Sequence, residues 1–222
     1  MISGIMAGAA NNLGVDIIDP IIGVTTLVTQ TTASLTLAVP AGATTGDKLL
    51  AVLRCRADRS FAVPSGWSTV LSIAVPSGST LTSDVRVYIL SKDYASESNI
   101  VFTQSVSAAC TGSLILIRGS LGTIASSYTS PLAYTKTTNS SYMLTFVFDN
   151  SYSVVSGTAT RITSPAGYEQ IAHGYFTATM EVYGFFISKK GLESLGSLSY
   201  VVNWPGDYTT QRCVAAIEIF QP

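Results

Sequence analysis

One block of sequence occurs twice, and it constrains the fold of this chain more than any other feature. In its first copy the apolar run Leu49 to Leu53 is followed by the turn Pro64-Ser65-Gly66-Trp67. In its second copy Met143 to Phe148 is followed by Pro165-Ala166-Gly167-Tyr168. A short apolar run bounded by turn residues fits a strand buried on both faces or lying in a sandwich core. Proline pre-sets φ for the second position of a type I turn and glycine suits the fourth, so the chain reverses and presents Trp67 at the head of the next strand. Pro165, Gly167 and Tyr168 are expected to act in the same way, which makes Trp67 and Tyr168 equivalent core plugs.

The chain around these blocks alternates as strands do. Leu35, Leu37 and Val39 are separated by Thr36 and Ala38, and Pro40-Ala41-Gly42 ends the run. Further strands are predicted at Lys48 to Arg54, Trp67 to Val75, Asp84 to Leu90, Asn99 to Gln104 and Ser113 to Arg118. A second series follows at Tyr142 to Phe148, Ala159 to Thr163, Tyr168 to Phe176, Thr179 to Ile187, Ser197 to Asn203 and Arg212 to Phe220. No stretch sustains a helical period with caps. The fold class is therefore all-β, and the expected form is a jelly-roll-like antiparallel β-sandwich built from two sequence-related halves, residues 34–119 and 130–222. The segment 119–130 that joins them is no flexible Gly/Ser linker, which favours one body over two.

Residues 1–33 stand outside this pattern. They are rich in Gly, Ala and Ile, their only charges are Asp16 and Asp19, and Pro20 forbids a regular helix through them. Ile17, Ile18, Ile21 and Ile22 are too apolar for a solvated tail. One reading makes the segment an extra strand on the main body. The other makes it an N-terminal docking arm that orders on a neighbour, with those four isoleucines as candidate attachment residues.

Charge narrows the function classes. Charged residues are 11% of the 222, against roughly 25% in soluble domains. Such a chain must solvate itself through Ser, Thr and Asn or hide surface against partners, so a homo-oligomer, or a subunit of a larger assembly, is expected. A net charge of -1 gives no basic field for a nucleic-acid backbone. No run approaches the ~18 apolar residues of a membrane span, and no charged n-region marks a signal peptide. Synthesis in the cytoplasm and no membrane partner are the corresponding expectations.

Chemistry is sparsely represented. His173 is the one histidine, and no GxSxG elbow accompanies it, so a Ser-His-Asp triad has no support. Cys55, Cys110 and Cys213 match neither a disulfide framework nor a CxxC metal site and read as buried thiols. Asp47, Asp58, Asp84, Asp149 and Asp207 fall near strand ends, where Asp caps its own backbone more often than it catalyses. Arg54, Arg56 and Arg59 form a cluster that suits a salt bridge or solvated edge better than a phosphate site. Tyr128, Tyr134, Tyr142, Tyr152 and Tyr208 are candidates for sugar stacking or an interface, and ordinary sheet packing explains them equally. No cofactor, metal or catalytic residue is expected, and no enzymatic activity.

The order Val39-Pro40-Ala41-Gly42, Gly46-Asp47-Lys48-Leu49-Leu50, Pro64-Ser65-Gly66-Trp67, Val87-Tyr88, Leu114-Ile115-Leu116-Ile117-Arg118-Gly119 and Pro165-Ala166-Gly167-Tyr168 resembles a β-sandwich domain of structural proteins in tailed bacteriophages. The resemblance covers nearly everything from Ser34 onward. It implies a non-enzymatic virion protein, with a capsid decoration or cement subunit on the head as the first expectation. The major capsid protein would be its partner and a trimer its oligomer. The alternative is a tail or fibre receptor-binding module that holds host glycan through loop tyrosines. The shared motifs are turns and strands, and no catalytic residue is carried over with them.

Overall fold

The computed structural model of the chain describes residues 19–75, 85–128, 132–138, 141–151, 168–178, 181–190, 196–200 and 212–222. All regular structure among these residues is strand, in antiparallel sheets. The first eight strands are β1 (Ile21–Val24), β2 (Val28–Gln30), β3 (Ser34–Ala38), β4 (Lys48–Arg56), β5 (Ser68–Val75), β6 (Val85–Asp93), β7 (Asn99–Thr103) and β8 (Cys110–Ile117). The remaining seven are β9 (Ser120–Ser127), β10 (Leu132–Lys136), β11 (Tyr142–Ser151), β12 (Glu169–Ala178), β13 (Glu181–Lys190), β14 (Gly196–Tyr200) and β15 (Arg212–Phe220).

Two large sheets carry the fold. In one, β1 and β2 both lie on β8, which is followed by β4, β6 and β5. In the other the order is β9, β15, β11, β13, β12. Two ribbons, β3 with β7 and β10 with β14, complete the set.

Side-chain alternation along the central strands produces three apolar layers. Leu50 and Val52 of β4, Val87 and Ile89 of β6, and Ile115 and Ile117 of β8 share a core with Leu144, Phe146 and Phe148 of β11 and with Ala215, Ile217 and Ile219 of β15. The two large sheets thus meet face to face. The intervening residues Leu49, Ala51, Leu53, Leu114 and Leu116 point the other way, into a second core closed by Leu35 and Leu37 of β3 and Ile100 and Phe102 of β7. Met143, Val147, Val214 and Ala216 do likewise beneath Leu132 and Tyr134 of β10. Strands β4 and β8 are consequently covered on both sides, and every residue of β8 is buried. Each fully buried Leu, Ile or Phe contributes roughly 1.5–3 kcal/mol, so these unbroken apolar runs supply the main driving force.

Close approach of the ribbon to its sheet depends on Gly112. A Cβ there would stand 2.7 Å from Leu35 Cδ2 and 2.8 Å from Leu53 Cδ2. The turn before β5 also differs from the sequence expectation. The Trp67 amide donates to the Pro64 carbonyl at 3.1 Å, and Gly66 has φ of 80°. Gly66 is therefore the third residue of the turn, where type II geometry demands positive φ, and not the fourth of a type I turn. The shift by one residue leaves Trp67 pointing inward.

Part of the segment read as an arm belongs to the sheet. Ile21 pairs with Ile117 and Val24 with Ile115, and Val28 to Gln30 continue along β8. The joining segment is likewise structured, because residues 120–127 form β9 against β15.

Candidate functional site

Trp67 is 8% exposed and meets Phe102 edge to face, with ring centroids 5.2 Å apart. Tyr168 stands at the corresponding place before β12, partly buried on the third core, and its hydroxyl is hydrogen-bonded to that of Tyr134. Pro165 and Gly167 lie outside the described residues, as do Ile17 and Ile18. Ile21 packs partly on the core between the large sheets and Ile22 on the core beneath β3 and β7. Their side chains are thus engaged by the protein's own body.

The acidic residues serve the backbone. Asp47 is 3% exposed. Its carboxylate accepts the Thr44 amide at 2.9 Å and the Thr44 hydroxyl at 3.0 Å, and Arg118 donates Nε at 2.8 Å and Nη2 at 2.9 Å. The hydrogen bond from Arg118, opposed by burial and aided by Thr44, holds the carboxyl at about 2. In the second large sheet Glu218, 2% exposed, does comparable work from a strand. It accepts the Thr137 amide at 3.0 Å, the Thr137 hydroxyl at 2.7 Å and the Thr138 amide at 3.2 Å, and it also accepts the Ser141 hydroxyl. Burial pushes the Glu218 carboxyl up, but the bonds from Ser141, Thr137 and Thr138 outweigh it and leave it below its ordinary value. Each carboxylate pins the loop that leads into a central strand, β4 in one case and β11 in the other.

An open groove of about 580 Å³ adjoins the Asp47 and Arg118 pair, lined by Thr44 to Asp47, Arg118 to Ser120, Gln221 and Pro222. It holds hydroxyls and one arginine already committed to Asp47.

The three thiols are buried and free. Desolvation pushes Cys55 and Cys213 up to about 12 and Cys110 up to about 11, so none is a thiolate near neutral pH. His173 lies on β12 opposite Phe186, and Asp149 on β11 opposite Gly184 and Arg212. Asp84, Asp207, Tyr152 and Tyr208 fall outside the described residues. Among the described residues no group of three or more His, Cys, Asp or Glu side chains is placed to hold a metal. Tyr134 is buried, Tyr142 half-buried, and Tyr128 exposed with its hydroxyl donating to the Ala74 carbonyl at 3.3 Å.

One exposed face carries no charge, although Asp93 and Glu169 are exposed elsewhere. The outer side of the β3 and β7 ribbon presents Ser34, Thr36, Ala38, Asn99, Val101 and Thr103, all exposed. Val63 and Val106 are exposed too, in the segments that flank the end of β7. Sequence reading found the strands of this ribbon but not its outward chemistry, although the alternation of Ser34, Thr36 and Ala38 with Leu35 and Leu37 carried that signal.

No protein-family model, curated protein or solved structure matches the chain.

Proposed function

We propose that this chain is a non-enzymatic structural subunit of a tailed-bacteriophage virion, a decoration or cement protein on the capsid surface that contacts the major capsid protein. The observation that carries the reading is the charge-free outer side of the β3 and β7 ribbon, in a chain with only 11% charged residues. A surface of Thr, Ser, Ala and Val loses little on desolvation and suits lasting contact with a protein lattice. The turn and strand motifs that resemble phage structural domains support the same assignment. A homo-oligomer, with a trimer as its form, accords with that surface.

The body itself is inferred to be a duplicated sandwich of jelly-roll type. Strand order supports this. The sequence β1/β2, β8, β4, β6, β5 in one sheet corresponds place by place to β9, β15, β11, β13, β12 in the other, and β3 with β7 corresponds to β10 with β14. On this reading residues 21–30 are the counterpart of β9, and only the chain before Asp19 is left to act as an arm.

Co-sedimentation of the purified chain with undecorated particles tests the proposal. Saturable binding at a fixed ratio to the major capsid protein is expected. Failure to bind particles, together with binding to host-surface glycan, would assign the chain to receptor recognition instead.

A further inference from the structure

Four arginines gather at the far end of β4. Arg54 is 2% exposed, Arg56 is the last residue of the strand, and Arg59 follows in a turn whose amide donates to the Arg56 carbonyl at 3.0 Å. Arg86 comes from β6, directly opposite Cys55. Directly opposed residues send their side chains to the same side of a sheet. The Cys55 thiol in turn donates to the Arg59 carbonyl at 3.7 Å, which folds the turn onto that side.

Asp58 is the carboxylate that the described residues place here. One of its oxygens, Oδ2, serves both Arg56 Nη2 at 3.2 Å and Arg59 Nη1 at 3.4 Å. Among the described residues Arg56, Arg59 and Arg86 thus stand against this one carboxylate. The Nε atoms of Arg56, Arg59 and Arg86 are shut off from solvent without a hydrogen bond. Arg86 makes no ion pair within the described structure. A solvated strand edge would not leave guanidinium donors in this condition, because a donor withdrawn from water and unpaired is costly.

We propose that Arg56, Arg59 and Arg86 form a binding site for one oxyanion, a phosphate or sulfate or the carboxylate of an acidic side chain on a partner protein. Asp58 holds two of the guanidinium groups in place through a single oxygen. Arg59 commits only Nη1, which leaves Nη2 for an acceptor, and Arg86 leaves both of its terminal nitrogens, the Nε of each being closed off. A planar fork of this kind recognises oxyanions by paired hydrogen bonds, which a lysine cannot reproduce. The site is independent of where the protein acts.

Isothermal titration of the full chain at low ionic strength with inorganic phosphate, sulfate and a short Asp/Glu-rich peptide, with chloride as the control ion, tests the proposal. At least one oxyanion should bind with 1:1 stoichiometry, and Arg86→Gln and Arg59→Gln should each weaken it by tenfold or more. Arg86→Lys, which keeps the charge without the fork, should fall in between. Binding of phosphate without the peptide identifies a free anion as the ligand, and the reverse identifies a partner's carboxylate. Circular dichroism melts establish that the variants are folded, and Arg59→Gln in the half-buried turn serves if Arg86→Gln is not. Absence of binding at millimolar concentration, affinity no greater than for chloride, or unchanged affinity in the variant that combines Arg59→Gln with Arg86→Gln would overturn the proposal.

Discussion

Asp47 and Arg118, 71 residues apart in the chain, form a two-point ion pair that ties the turn entering β4 to the end of the neighbouring strand β8. The carboxylate is buried and the arginine is not, so the two ends of the pair differ in what their loss exposes. Arg118→Ala leaves Asp47 with only Thr44 as a donor and is expected to lower stability at neutral pH. The folded carboxyl lies at about 2 against an ordinary 3.8. A depressed folded value means that the contribution is complete above about pH 4 and is lost as pH falls toward 2. Urea melts at neutral pH and near pH 3 should show the variant's deficit shrinking at the lower value.

Glu218 offers a contrast, since its partners Thr137, Thr138 and Ser141 are uncharged donors. Glu218→Ala strips acceptors from two backbone amides and two hydroxyls around Thr137 to Ser141, and a loss of about 1–3 kcal/mol per buried donor left unpaired is expected. Glu218→Gln retains one acceptor oxygen and should lose less. Thermal denaturation of the two variants ranks them.

Trp67 fills the core beneath β3 and β7 against Phe102. Trp67→Ala should cost roughly 3–5 kcal/mol. With Trp204 replaced by Phe to isolate the signal, native Trp67 emission should be blue-shifted relative to the unfolded chain; emission typical of a solvated indole would contradict the packing.

Much of the fold was legible because the central strands carry almost nothing but apolar residues. Lys48 to Arg54 and Arg212 to Phe220 announce themselves as strands without reference to any neighbour. β9 was hidden because Ser120 to Ser127 is an edge strand of small residues, interrupted by Gly122, with no steady alternation. β10 was hidden by Lys136, which points inward with Leu132 and Tyr134 and is 2% exposed, against every expectation for lysine. Residues 21–30 looked separable because their pairing partner, β8, is far away in the chain. The arginine cluster was legible only in part. Arg54, Arg56 and Arg59 lie close in sequence, but Arg86 joins them through the register of β4 on β6. The charge deficit also has two origins that composition cannot separate: strands covered on both faces have no place for charge, and the outer ribbon carries none either.

Gly112 shows how narrowly the ribbon is fitted. Gly112→Ala places a methyl within 2.8 Å of two leucine side chains, and the resulting overpacking should cost about 1–3 kcal/mol. Leu35→Ala in the same chain relieves the closer of these two contacts, that at 2.7 Å. The double variant should therefore be more stable than the sum of the two single losses, read from paired denaturation curves.

The most direct test of the central claim is the position of the chain in an intact particle. Cryo-electron microscopy of purified virions is predicted to place this layered β body on the outer surface of the head, in many symmetry-related copies and clustered about three-fold positions. Particles in which the chain is absent, or present only in a few copies at the tail tip, would contradict the account.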